Sequence, residues 1–245
     1  MGGPSGVASG TVTGTAVSRL RPEVASAVVV VALVGVNLAQ HLLASPWWLG
    51  PVEALALLCF ARLAGLTWAQ LGLARDRAAS GCRWALGAIA VVTAVYLVGV
   101  LLPMTRLAFR DNRYHLPLPE ALMKALVIIV LGTVVLEEIA FRSVLWGMLA
   151  RHLRPWQVLV TTSVLFGLWH ILPALHIGAN QAVAAVGGAR TALLVTGTVA
   201  FTTMGGLIFG ALRLRSDSVL ASAGAHWATN GLGVLFGVVA WQLAP

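Results

Sequence analysis

The sequence predicts an all-α fold: a polytopic transmembrane helix bundle of seven to eight spans enclosing a polar cavity at membrane depth. Three observations lead there. The 245 residues are 59% hydrophobic and only 10% charged, with a mean hydropathy of +0.90, whereas a soluble domain carries about a quarter charged residues. Apolar runs near the ~20 residues that cross a bilayer recur along the chain, separated by short connections bearing arginine. Three of those runs are interrupted by acidic, imidazole or amide side chains, which hydrocarbon tolerates only where they face a shared interior.

Taken in order, residues 1–18 are uncharged Gly, Ser, Thr, Ala and Val with one proline, the composition of a disordered tail. Residues 19–245 read as one transmembrane domain. Arg19 and Arg21 precede the first span, Val24–Leu43, which is too long for the apolar core of a cleaved signal peptide. Ser45-Pro-Trp-Trp-Leu-Gly-Pro51 reads as a turn with interfacial tryptophans. Span two runs from about Val52 to Leu73, with Glu53 near its mouth and Arg62 inside it, and span three from Trp84 to Leu102, stopped by Pro103. The polar stretch 104–118 is expected at the interface. Span four, Ala121–Leu149, is long enough to tilt or protrude. Span five is Trp156–Leu172. The Gly/Ala-rich stretch from Pro173 to Arg190 is expected as a loop or a short re-entrant piece, an eighth span if it crosses. Span six is Ala192–Leu212 and span seven Val219–Leu243.

Seven spans with the amino terminus in the cytoplasm place nine arginines, Arg213 and Arg215 among them, on the inner side and four on the outer, in keeping with the positive-inside rule. The expected location is therefore the cell membrane, multi-pass. The net charge of +8 belongs to these flanks; no basic patch interleaved with aromatics suggests nucleic acid. Cys59 and Cys82 fit no redox or metal spacing and are expected as packed thiols. No internal repeat of the transporter kind is visible. Gly206-xxx-Gly210 and Gly233-xxx-Gly237 favour close packing within the chain over dimerisation.

The chemistry concentrates between about residues 120 and 243. Glu137 and Glu138 lie in span four with Arg142, and Glu138 and Arg142 are spaced i, i+4, within ion-pair reach on a helix. Glu137 is turned about 100° away and has no basic partner in its own helix. Span five holds Phe166-Gly-Leu-Trp-His170 and span seven His226-Trp-Ala-Thr-Asn230, each an i, i+4 pair. At about 1.5 Å per residue from the inner basic flanks, Glu137, His170 and His226 fall roughly 20, 22 and 15 Å deep, the middle of a ~30 Å core. A structural ion pair would account for Glu138 and Arg142 but not for Glu137. An acid, an imidazole that shares a water with it, and a second imidazole with an amide as oxyanion donors describe peptide hydrolysis without a covalent intermediate. No GxSxG is present, and neither cysteine lies near a histidine in sequence.

These residues, in this order, resemble the CPBP family of intramembrane proteases (the Abi family), which includes the type II CAAX prenyl endopeptidases. The family pattern of EExxxR, FxxxH and HxxxN/D is met by Glu137-Glu138-Ile-Ala-Phe-Arg142, Phe166 to His170 and His226 to Asn230. The resemblance implies an intramembrane endopeptidase whose partners are the bilayer and a membrane-associated protein or peptide. It implies that Glu137 and His170 activate water, that Glu138 and Arg142 support the site, and that His226 and Asn230 stabilise the oxyanion. It also implies a fold usually drawn with eight helices and a cavity reached from the cytoplasm. No cofactor is expected. The alternatives are a zinc protease of the same fold with Glu137, His170 and His226 as ligands, a non-catalytic scaffold or regulator, and a proton-coupled transporter.

Overall fold

A computed structural model describes residues 20–43, 46–180 and 188–243; the amino-terminal tail expected over 1–18 lies outside them. Every regular element described is helical. We number them α1 (Pro22–Leu42), α2 (Leu49–Leu63), α3 (Ala78–Leu101), α4 (118–149), α5 (Pro155–Trp169), α6 (Ile171–Asn180), α7 (Gly188–Ser216) and α8 (219–242). Four stretches are long and apolar enough to cross a membrane: Pro22–Leu42, Arg75–Leu101, Pro155–Leu175 and Ala189–Ser216. Their outward side chains are apolar: Val31, Leu86 and Phe201 are 71%, 66% and 79% exposed, the inside-out pattern of a surface solvated by lipid.

The rods α4 and α8 differ from the rest, because α-turns alternate in them with wider π-type turns. These occupy Lys124–Ile128, Val130–Val134 and Glu138–Leu145 in α4 and Ala228–Leu232 in α8. Side chains of other helices attach to backbone carbonyls in three of the four. Trp227 Nε1 donates to Ala125 O at 2.9 Å, Tyr96 Oη to Thr229 O at 2.9 Å, and Arg213 Nε to Arg142 O at 3.1 Å.

α4 is the central strut. Leu136, Ala140, Phe141, Val144, Leu145 and Met148 are buried in one cluster with Val29 and Leu33 of α1, Leu57 and Ala61 of α2, and Phe166 of α5. Its amino-terminal half packs on α8 through Ala121, Ala125, Val234 and Val238. α5 and α7 are in close contact, and the reason is glycine. A Cβ at Gly167 would collide with Thr203 Oγ1 and Val199 O, and one at Gly206 would lie 3.0 Å from Ser163 Cα. Gly210 faces Leu159 and Trp146, and Gly237 faces Tyr114, so these glycines serve packing inside the chain.

Several boundaries depart from the sequence expectation. Span two ends at Leu63, not Leu73, because residues 64–73 turn back through Gly65 and Gly72, at φ +88° and +71°. Arg62 accordingly sits in the last helical turn, bonded to Leu66 O and 4.8 Å over the Trp68 ring. Pro173 does not open a loop: α6 begins at Ile171 and runs to Asn180, and a proline in the first turn of a helix forfeits no internal hydrogen bond. Residues 181–187 lie outside the described residues. Cys59 and Cys82 are free and exposed on the apolar outside, not packed. Arg213, expected as a topological flank, is 4% exposed, bonded to Arg142 O and to Gln70 O.

Substituting Gly206 by leucine is expected to cost about 1–3 kcal/mol, the scale of overpacking a filled contact; a lowered thermal midpoint in detergent measures it.

Candidate active site

The side chains singled out in α4, α5 and α8 occupy two adjoining places, a buried charge cluster and the wall of a cavity beside it. Glu137, Glu138 and Arg142 on α4 and His226 on α8 make the cluster, at 7%, 1%, 1% and 3% exposure. Burying four ionisable groups is affordable only if they face one another. They do so as two linked pairs. Glu138 Oε1 lies 3.3 Å from Arg142 Nη1 and 2.9 Å from His226 Nδ1, so a single carboxylate oxygen serves both the guanidinium and the imidazole. The other imidazole nitrogen of His226, Nε2, lies 3.7 Å from Glu137 Oε2. Glu137 Oε1 accepts a hydrogen bond from Trp169 Nε1 at 3.1 Å, and Oε2 has no hydrogen-bond partner among the described residues.

Aromatic rings close the cluster. The Arg142 guanidinium stands 3.9 Å over the Phe166 ring and 5.2 Å over that of Phe209, a cation–π seat in place of further hydrogen bonds. Phe209 stacks on the His226 ring at 5.1 Å, and Phe166 meets the same ring edge-on at 5.8 Å. The first residue of the FxxxH pair is thus the floor beneath both Arg142 and His226.

A cavity of about 930 Å³ opens beside this cluster between α3, α5, α7 and α8. His170, His226 and Asn230 line it, among mostly apolar side chains such as Val91, Phe201 and Ile208. His170 follows the last turn of α5, and its Nδ1 lies 2.8 Å from Phe166 O. A carbonyl only accepts, so in this contact Nδ1 donates and Nε2 is the nitrogen left to face the cavity. The same argument on His226 puts a proton on Nδ1, facing Glu138. Glu137 is therefore brought to His226, while His170 and Asn230 stand on the adjoining wall. Among the described residues no three His, Cys, Asp or Glu side chains are grouped to hold a metal ion, and we derive no step through one.

Sequence reasoning missed three contributors. Trp169 was inside a quoted motif with no role, because an indole among apolar residues gives no signal of its own. Phe209 and Arg213 lie on span six, where nothing pointed to the site; a buried arginine at a helix end reads as a lipid-headgroup flank.

The fold and site define a polytopic helical membrane protein with an acid–imidazole cluster buried at the edge of an apolar cavity. Residues 119–232, just under half of the chain, match the family described as Type II CAAX prenyl endopeptidase Rce1-like. The chain thus carries an Rce1-like segment that contains all six singled-out residues, and the resemblance carried by the three motifs is a family match over that segment. No curated protein and no solved structure matches the chain.

Removing one member of a buried ion pair strands the other. Arg142→Met is expected to destabilise the protein by about 3–5 kcal/mol, more than Gly206→Leu does, as read from thermal midpoints of the two variants.

Proposed function

We propose that this protein is an intramembrane endopeptidase that hydrolyses a peptide bond of a membrane-associated protein or peptide with a water activated by Glu137. The observation that carries the reading is Glu137 Oε2: it is buried, free of hydrogen bonds among the described residues, and 3.7 Å from His226 Nε2 beside a cavity. Two carboxylates face one guanidinium and one imidazole, and the four groups reach zero net charge when His226 carries its second proton. A carboxylate base and an N–H donor then stand side by side, close enough for both to contact one substrate group.

In this mechanism water attacks the scissile carbonyl carbon and gives its proton to Glu137, with His170 Nε2 orienting it from the cavity wall. The developing oxyanion is met by His226 Nε2–H and the Asn230 amide. The C–N bond breaks as Glu137 returns the proton to the leaving amine, and Glu138 Oε1, 2.9 Å from Nδ1, holds the His226 ring in place. The family match supports the endopeptidase class, and the apolar cavity wall supports a membrane-associated substrate.

The connections 64–77, 150–154 and 213–218 meet at one end of the bundle: Arg151 Nη1 donates to Ala64 O, Arg213 Nη2 to Gln70 O, and Arg77 pairs with Asp217 at 3.8 Å. This basic end supports the cell membrane, amino terminus inward, as the setting.

Glu137→Gln is expected to lower the cleavage rate by at least about 10³-fold with little change in melting, since it removes the base yet keeps the shape. Substrate-trapping proteomics in the native host with this variant tests the proposal: peptides should be enriched by the variant and processed only by wild type. If Glu137→Gln and His170→Ala both leave cellular function intact, the scaffold reading replaces it. Activity that is lost on chelation and regained with zinc would replace the metal-free mechanism.

A further inference from the structure

Pro173 and Trp169 are four residues apart, so the Trp169 carbonyl lacks the N–H that would meet it in a continuous helix. A buried orphan carbonyl is costly, and it is met from elsewhere in the chain. Asn37 of α1, itself 9% exposed, donates from Nδ2 to Trp169 O at 3.1 Å across a separation of 132 residues. The ring of the same tryptophan, 7% exposed, is braced edge-on by Phe141 at 5.5 Å and donates its indole N–H to Glu137 Oε1. Asn37 and Trp169 also share the wall of a cleft of about 310 Å³ between α1 and α5, on which neither His170 nor His226 lies.

We propose that Asn37 and Trp169 are positioning residues for the reaction: Asn37 fixes the end of α5 at Trp169, and the Trp169 indole engages Glu137 Oε1 so that Oε2 is the oxygen presented to His226 and the reacting water. This rests on the endopeptidase reading. It adds α1, which lies outside the Rce1-like segment, to the machinery. A carboxylate held at one oxygen by a neutral donor is confined in rotation, while the other oxygen stays free for proton transfer. Without the indole, Glu137 can turn either oxygen toward His226, and productive geometry becomes a fraction of the population. Asn37 acts one step back, through the carbonyl of the residue whose ring makes the bond, so its effect depends on Trp169 being present.

The test uses the full chain in proteoliposomes with a farnesylated CAAX peptide bearing a fluorogenic pair. Trp169→Phe is expected to lower kcat about tenfold or more with KM within about twofold, the scale of one lost charge-assisted hydrogen bond. Asn37→Leu should lower kcat several-fold, and Asn37→Gln, which keeps a donor, should recover most of it. The double variant Asn37→Leu/Trp169→Phe should be no slower than Trp169→Phe alone. Wild-type kcat in Trp169→Phe, or single effects that multiply in the double variant, would overturn the relay.

A readout free of activity separates this from the proteolytic assignment. In protein labelled at the indole nitrogens, the Trp169 Nε1–H resonance, identified by its loss in Trp169→Phe, should move in both Glu137→Gln and Asn37→Leu. If it stays put in both, the relay is wrong even if peptides are cleaved. If it moves while wild type cleaves neither this peptide nor any peptide enriched by Glu137→Gln, the coupling stands and the endopeptidase reading fails.

Discussion

The Glu138 carboxylate is the constraint on which the site depends. In a bundle solvated by lipid, Arg142 would be an isolated buried cation and His226 an unpaired buried imidazole, and Glu138 Oε1 meets both, at 3.3 and 2.9 Å. Because Arg142 is on its own helix and His226 is on α8, the same oxygen sets the register of α4 against α8. It also selects which imidazole nitrogen faces Glu137. A buried ion-pair cluster built this way adds little to stability, since desolvation offsets most of the Coulomb attraction. What it contributes is a specific polar contact between α4 and α8, since Glu138 on one meets His226 on the other.

That arrangement is reached by a backbone device. π-type turns are rare and are tolerated when something is gained by shifting a side chain out of α register. Both rods that carry the cluster contain them: Glu138 and Arg142 lie within Glu138–Leu145, and Asn230 within Ala228–Leu232. Arg213 and Tyr96 each anchor a carbonyl in one of these stretches. Residues outside the cluster thus bond to the backbone of the rods that carry it.

What the sequence discloses and what it hides follow from the same physics. The three polar pairs were legible because ionisable groups in apolar runs violate composition, and i, i+4 spacing reports a shared helix face whether the turn is α or slightly wider. The membrane class was legible for the complementary reason, a lack of charge. The end of span two at Leu63 was not, because Gly65 and Gly72 sit among apolar residues that look continuous with the span. The π-type turns leave no mark, since φ and ψ differ little from α and residue choice barely reports them. Arg213 was misplaced because its three-methylene reach and basic flank look the same whether it bonds buried carbonyls or lipid headgroups. Trp169 and Asn37 could not be linked, because their contact spans 132 residues and neither is unusual where it stands.

The proline in α6 ties these levels together. Pro173 ends one hydrogen-bond ladder and begins another, placing a turn at His170 and leaving the Trp169 carbonyl without an i+4 N–H, a place taken by Asn37 Nδ2. In a soluble protein water would satisfy that carbonyl, and the turn would need no partner. In lipid it must be met from within the chain, which draws α1 against the end of α5. One missing N–H therefore accounts for a histidine on the cavity wall and a tryptophan fixed against a glutamate. It also gives Asn37 of α1 a backbone partner at the end of α5. The bilayer acts here as a structural reagent: by refusing to solvate the backbone, it forces the distant first helix to support the site.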